Sequence, residues 1–239
     1  MTLLYMAGPP PFKGEMYVKI MKGRNVLVTF GQHRRSVFRD LAPFASAILD
    51  CGAWSARRGG KPVSLESYMD FIERKGDEFG WYAALDVIGD PSASMRHFER
   101  MRRHGLAPVP VFHGREPWSL LEEYRSASPL VALGSCPRMG REERLNWFSE
   151  CMGRHPGRYH LFRMTDGGPL KQLRPESADS ATWAIAAAHG YAPDGFGGRT
   201  RRPDLTAFER SMLWLKKFDD LQGELNRRRN GTERKREAG

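Results

Sequence analysis

An α/β fold, a single (β/α)8 TIM-like barrel closed off by a long C-terminal helix and a basic tail, is what this sequence predicts. Short apolar runs recur roughly every 20 residues with helical stretches between them, which is the pattern of parallel β/α units. About seven such runs in one chain favour a closed barrel over a doubly wound sheet. No repeat or low-complexity linker divides the 239 residues. Residues 1–225 therefore read as one domain and residues 226–239 as a basic, disordered tail.

Taken in order, the opening reads as loop up to the Pro9-Pro10-Pro11 breaker. Residues 25–30 (NVLVTF) and 47–51 (AILDC) read as strands. Residues 64–75 form a helix opened by a serine cap, with Leu65, Tyr68, Met69 and Ile72 on one face. A strand follows at 81–87 (WYAALDV), then a basic helix at 92–104 stopped by Gly105. Residues 108–112 (PVPVF) make a strand and 118–125 a helix. The alternation continues with strand 130–133, helix 141–152, strand 159–164 and a strand end within 177–183. A long amphipathic helix spans 205–228, with disorder expected beyond about Asn230.

Charge and cysteine usage narrow the function classes. Lys plus Arg number 38 against 28 Asp plus Glu, a formal charge of +10. Arg227, Arg228, Arg229, Arg234, Lys235 and Arg236 supply part of that excess, and the rest is spread over the body. Such a balance suits a polyanionic partner, nucleic acid before membrane. Without an apolar run long enough to span a bilayer, or a signal-peptide pattern at the N-terminus, the chain is expected in the cytoplasm. Cys51, Cys136 and Cys151 form neither a CxxC nor a CxC pair, so neither a disulfide framework nor a metal site is expected. Walker A, HExxH, GxSxG and the Rossmann glycine triplet are all absent.

In a parallel β/α protein the chemistry collects where strands run into the loops that precede helices. Reading those positions gives Leu49-Asp50-Cys51-Gly52, Leu85-Asp86-Val87, Phe112-His113-Gly114, Leu133-Gly134-Ser135 and Ala178-Asp179-Ser180. Asp50 and Asp86 each follow apolar residues directly, which puts a partly desolvated carboxylate at the barrel mouth. Such groups accept hydrogen bonds from a base edge, relay protons or attack a sugar carbon. Any one of them alone reads equally well as a helix cap; three on one rim favour chemistry. His113 is open between a packing and a functional role. Gly114 and Gly134 read as turn glycines, or as places where a flat base approaches the backbone.

The blocks LDCGAW (49–54), YAALDVIGD (82–90), PVPVFHG (108–114), VALGS (131–135) and SADSATW (177–183), in this order, resemble the tRNA-guanine transglycosylase superfamily. They look closest to its DNA-guanine transglycosylases, which place 7-deazaguanines in phage and bacterial DNA. The resemblance covers more than half the chain. It implies a (β/α)8 fold and base exchange without a cofactor. Asp179 then matches the nucleophile, Asp50 the proton-transfer aspartate and Asp86 the carboxylate that reads the guanine edge. Gly134 matches the glycine lying against the base, with Gly52, His113, Gly114 and Ser135 in the same substrate-binding blocks. The sequence departs from the tRNA enzymes in lacking their cysteine-rich zinc site after the last strands. His113 also stands where they carry a base-contacting glutamine.

The expectation is therefore an enzyme that exchanges guanine in DNA for a free base such as 7-cyano-7-deazaguanine, through a covalent aspartyl-glycosyl intermediate. The alternatives are the same chemistry on tRNA, and a nucleic-acid-binding barrel without catalysis.

Overall fold

A computed structural model describes residues 2–8, 14–32, 38–57, 59, 61–134, 139–194 and 198–237, with backbone alone for residues 32 and 228–237. Seven parallel strands form one sheet: β1 (Leu3–Met6), β2 (Asn25–Thr29), β3 (Ser46–Asp50), β4 (Val111–His113), β5 (Val131–Gly134), β6 (Tyr159–Leu161) and β7 (Ser177–Ser180). Their order is β3-β2-β1-β7-β6-β5-β4, so β3 and β4 are the free ends. Residues 82–83 fill the gap between them through parallel bridges Leu49↔Tyr82 and Ala83↔Val109. The Ala83 N–H donates to the Leu49 carbonyl at 2.8 Å and the Ala84 N–H to the Val109 carbonyl at 2.7 Å. The ring closes as an eight-stave barrel.

Beyond its ladder bonds, this fourth stave is held by side chains from the helices outside it. Tyr68 donates its hydroxyl to the Ala83 carbonyl at 2.7 Å, and the His97 ring meets the Leu85 carbonyl at 3.0 Å. The Val87 N–H donates to Ser94 Oγ at 2.8 Å. These bonds satisfy backbone groups that a longer strand would have paired within the sheet.

Strand alternation sorts the core into two layers. Tyr5, Ala7, Leu27 and Ile48, with Ala83, Val109, Val111 and Ala132, fill the barrel interior. Leu4, Met6, Val26, Val28, Leu49, Phe112, Leu133 and Ala178 face outward against the helices. Truncating one of the outward leucines to alanine would cost about 2–5 kcal/mol.

The helices are α1 (Glu15–Met21), α2 (Ala53–Arg57), α3 (Leu65–Lys75), α4 (Pro91–Arg103), α5 (Trp118–Ala127), α6 (Arg141–Arg154), α7 (Gly167–Leu173), α8 (Thr182–Ala188) and α9 (Ala207–Glu237). A hairpin, β8 (Tyr191–Pro193) with β9 (Arg199–Arg201), separates α8 from α9. Thr206 and Glu209 open α9 with reciprocal bonds, Glu209 N–H to Thr206 Oγ1 and Thr206 N–H to Glu209 Oε2. Among the described residues no helix is long and apolar enough to cross a membrane.

The structure goes beyond the sequence reading in several places. Leu3–Met6, read as loop, is a central strand paired to both β2 and β7. Leu4, Tyr5 and Met6 are buried in succession, on both faces, so they show no alternation, and the partners of β1 lie far along the chain. Residues 167–173, given no element above, form α7. The backbone of α9 runs on through residues 226–237.

Candidate active site

Because all the staves run the same way, their C-terminal ends meet on one rim. Asp50 ends β3, Asp86 follows the bridging stave, His113 ends β4, Gly134 ends β5 and Asp179 lies in β7. The strand-end reading thus brings its three carboxylates to one mouth. Asp86 and Asp179 both act on Asp50 through their charge.

On one side of the mouth Asp86 is fully engaged. His113 Nε2 lies 2.6 Å from its Oδ2, and the Cys51 thiol donates to its Oδ1 at 2.9 Å. Both Asp86 and His113 are buried. Burial alone would lower the His113 pKa, but the bond and charge of Asp86, with the charge of Glu116, outweigh it and raise the net value. Glu116 Oε2 also accepts the His113 backbone N–H at 2.8 Å, and burial raises the Glu116 pKa. The remaining ring nitrogen, Nδ1, is packed against Gly134 and makes no well-formed hydrogen bond.

A Cβ on Gly134 would stand 2.5 Å from the His113 ring. The space this glycine leaves open is used by the His113 ring. Gly52 is required by its backbone, at φ 88°, and a Cβ there would come within 3.2 Å of the Thr29 methyl. Gly114 donates its N–H to the Gly134 carbonyl at 3.3 Å, tying the ends of β4 and β5 together.

On the other side Asp179 is only 3% exposed, yet more loosely held. Its Oδ1 accepts the Arg163 backbone N–H at 3.0 Å and lies 3.3 Å from His160 Nε2. Its Oδ2 makes no hydrogen bond to any described residue. His160 is fully buried in the barrel, with Nδ1 2.8 Å from Ser177 Oγ and its ring edge-on to Trp81 and Phe162. Asp179 does not cap the next helix, which starts from Ala181 without a side-chain cap; Ser180 Oγ accepts the Thr182 N–H at 3.0 Å.

Asp50 sits between the two sides. Burial, then the charges of Asp86 and Asp179, push its pKa up from 3.8 to about 7, against the Gly52 N–H and the Thr29 hydroxyl, which pull it down. A group titrating near neutrality both gives and takes a proton, which is what general acid–base work needs. Cys51 is the opposite case: burial and the same carboxylates raise its thiol well above the usual value, so it stays protonated.

Two residues the sequence reading passed over complete the mouth. Arg163 follows β6 with φ 61°, and its guanidinium lies 5.0 Å from the centroid of the Trp54 ring, in α2 after β3. In the eight-membered ring β3 and β6 stand opposite each other, so this contact crosses the opening. The signals were present in the sequence: an arginine at one strand end, and a tryptophan in the block that follows another. Ser135 and Cys136 lie outside the described residues. Arg227 is exposed on α9, five residues past Gln222, which bonds Thr2 and Leu4 at the start of β1. It is not brought to the carboxylates. The side chains of Arg228, Arg229, Arg234, Lys235 and Arg236 lie outside the described residues. Among the described residues no cluster of three or more His, Cys, Asp or Glu is arranged to hold a metal ion.

Comparison with known proteins adds little to this. No family model matches the chain, and no curated protein matches it. Among solved structures, N-(5'-phosphoribosyl)anthranilate isomerase from Pyrococcus furiosus aligns at 12% identity over 89% of this chain and 98% of that one, with a TM-score of 0.43. A likeness that slight bears on neither substrate nor reaction. The fold assignment rests on the strand pairing described above.

Proposed function

We propose that the chain is a DNA-guanine transglycosylase that exchanges guanine for a free 7-deazaguanine base. The observation that carries the reading is the meeting of three carboxylates in three different environments at one barrel mouth. Asp179 is the nucleophile: its carboxylate attacks C1′ as the C1′–N9 bond breaks, leaving a glycosyl ester on the enzyme. Asp50, poised near neutrality, gives its proton to the departing purine. It then takes the N9 proton of the incoming deazaguanine, whose nitrogen attacks C1′ and releases Asp179.

Asp86, fixed by His113 and Cys51, presents its remaining lone pairs to the guanine edge. Trp54, with the Arg163 guanidinium over its ring, follows the strand that ends in Asp50. A base stacked in duplex DNA hides C1′, so the target nucleotide must leave the helix before it reaches the mouth.

The test is incorporation of labelled guanine or 7-cyano-7-deazaguanine into DNA, with a parallel tRNA arm. Product nucleosides are identified by mass spectrometry. Exchange into DNA supports the reading, and exchange into tRNA alone reassigns the substrate. Absence of exchange from both arms with folded protein and intact nucleic acid overturns it.

A further inference from the structure

Beside the mouth, a cavity of about 180 Å³ opens between the loops after β6 and β7, α6 and α9. Four cations line it, Arg141, Arg144, Arg163 and Lys217, together with Asp166 and the Thr182 side chain. One carboxylate against four cations leaves the pocket positive. Arg141 pairs with Asp166, Arg163 lies over Trp54 and Lys217 lies over the Trp214 ring. Arg144 has none of these outlets. Its Nε is enclosed without a hydrogen-bond partner, and no carboxylate among the described residues lies within ion-pair distance of it. Burial, and then the charges of Arg163 and Arg141, hold its guanidinium below the usual value.

An arginine kept part-buried, unpaired and beside two others is unfavourable unless something negative joins it. We infer that this cavity is a phosphate-binding pocket, with Arg144 as its central ligand and Arg141, Arg163 and Thr182 around it. The guanidinium fork suits phosphate oxygens in a way a single ammonium does not. The position is apt as well, because β6 and β7 are the seventh and eighth staves, and barrels often bind phosphate on the loops that follow them.

Arg163 joins the pocket to the chemistry. Its backbone N–H holds Asp179 and the residue also lines the cavity, so an occupied pocket and the reacting sugar are neighbours. The phosphate is either a phosphodiester of a nucleic-acid strand or the phosphomonoester of a free nucleotide. Assignment to a strand rests on the transglycosylase reading; the pocket itself does not.

The experiment uses full-length protein, inorganic phosphate as the first probe, and calorimetry with thermal melting as readouts. Phosphate should raise the melting temperature of the wild type. Arg144→Gln should weaken phosphate binding roughly tenfold to a hundredfold, the loss expected for a charged hydrogen bond. Arg144→Met should melt higher than the wild type without phosphate, because it removes an unpaired buried charge, and should not respond to phosphate. Equal phosphate affinity in wild type and Arg144→Gln overturns the pocket.

A second comparison uses a short single-stranded oligodeoxynucleotide with hydroxyl ends and a nucleoside 5′-monophosphate. Loss of oligonucleotide affinity in Arg144→Gln supports the strand assignment. Loss confined to the monophosphate overturns that assignment and keeps the pocket. Since binding is read without turnover, phosphate binding that survives in a protein with no exchange activity sinks the reaction and spares the pocket.

Discussion

The barrel mouth holds two aspartate–histidine pairs that look alike in sequence and behave differently in space. Asp86 and His113 meet at 2.6 Å, and the second carboxylate oxygen is taken by Cys51. Asp179 and His160 stand 3.3 Å apart, with one oxygen held by a backbone N–H and the other open among the described residues. The first pair is fixed through both carboxylate oxygens; the second is held through one oxygen alone. Residue type does not separate them. What does is how many lone pairs the surroundings have already claimed.

The largest effect should fall on the open pair. Asp179→Asn keeps shape and burial but removes the attacking charge, so labelled-guanine exchange into DNA should drop on the order of a thousandfold or more. Turnover near wild type would remove Asp179 as nucleophile and erase the functional half of the contrast.

Stability should show the reverse ranking. Asp86→Ala strands a buried imidazole whose positive form the carboxylate supports, so urea unfolding should show a loss of about 3–5 kcal/mol. Asp179→Ala leaves a backbone N–H and a more distant histidine unpaired, a loss of about 1–3 kcal/mol. If Asp179→Ala proved the more destabilising, the two pairs would have to exchange roles.

That ranking could not have been read from the sequence, although both aspartates could. The strand-end rule found Asp50, Asp86, His113, Gly134 and Asp179 because parallel staves put their last residues on one rim, and apolar runs mark where staves end. It missed Leu3–Met6, since a four-residue apolar run without alternation carries no period to detect. Arg163 and Trp54 escaped for a different reason. Each sits at its own strand end, but that they touch follows from β3 and β6 standing opposite in a closed ring, a property of the whole fold. At Gly134 the sequence reports only that something approaches closely. Here the neighbour is a side chain of the protein itself.

Asp50 lies between the pairs and should report on both through pH. Its carboxyl is pushed up from 3.8 to about 7 in the fold, so between those values the unfolded chain has released the proton and the folded one retains it. The folded state binds more protons there, hence stability should fall as pH rises from about 4 to about 7 and level off above it. Asp50→Asn removes this slope. The difference between the two proteins should grow across that window to at most about 4 kcal/mol, less what water at the mouth screens. Parallel pH–stability curves for wild type and Asn variant would mean that neither burial nor the charges of Asp86 and Asp179 raise the Asp50 carboxyl.

The smallest effect, and the sharpest probe of the closed pair, concerns Gly134. If its missing Cβ serves the His113 ring, Gly134→Ala forces that ring off Asp86 and should destabilise by about 1–3 kcal/mol, the usual range for overpacking. The backbone of Gly134 is not in the left-handed region, so strain of the chain itself does not enter. A double-mutant cycle isolates the clash. With His113→Ala in the background there is no ring to displace, and adding Gly134→Ala should then cost almost nothing. Coupling of that sign assigns the glycine to the scaffold half of the mouth. An undiminished loss in the His113→Ala background would mean that Gly134 is small for another reason, and a base lying against its backbone would become the better account.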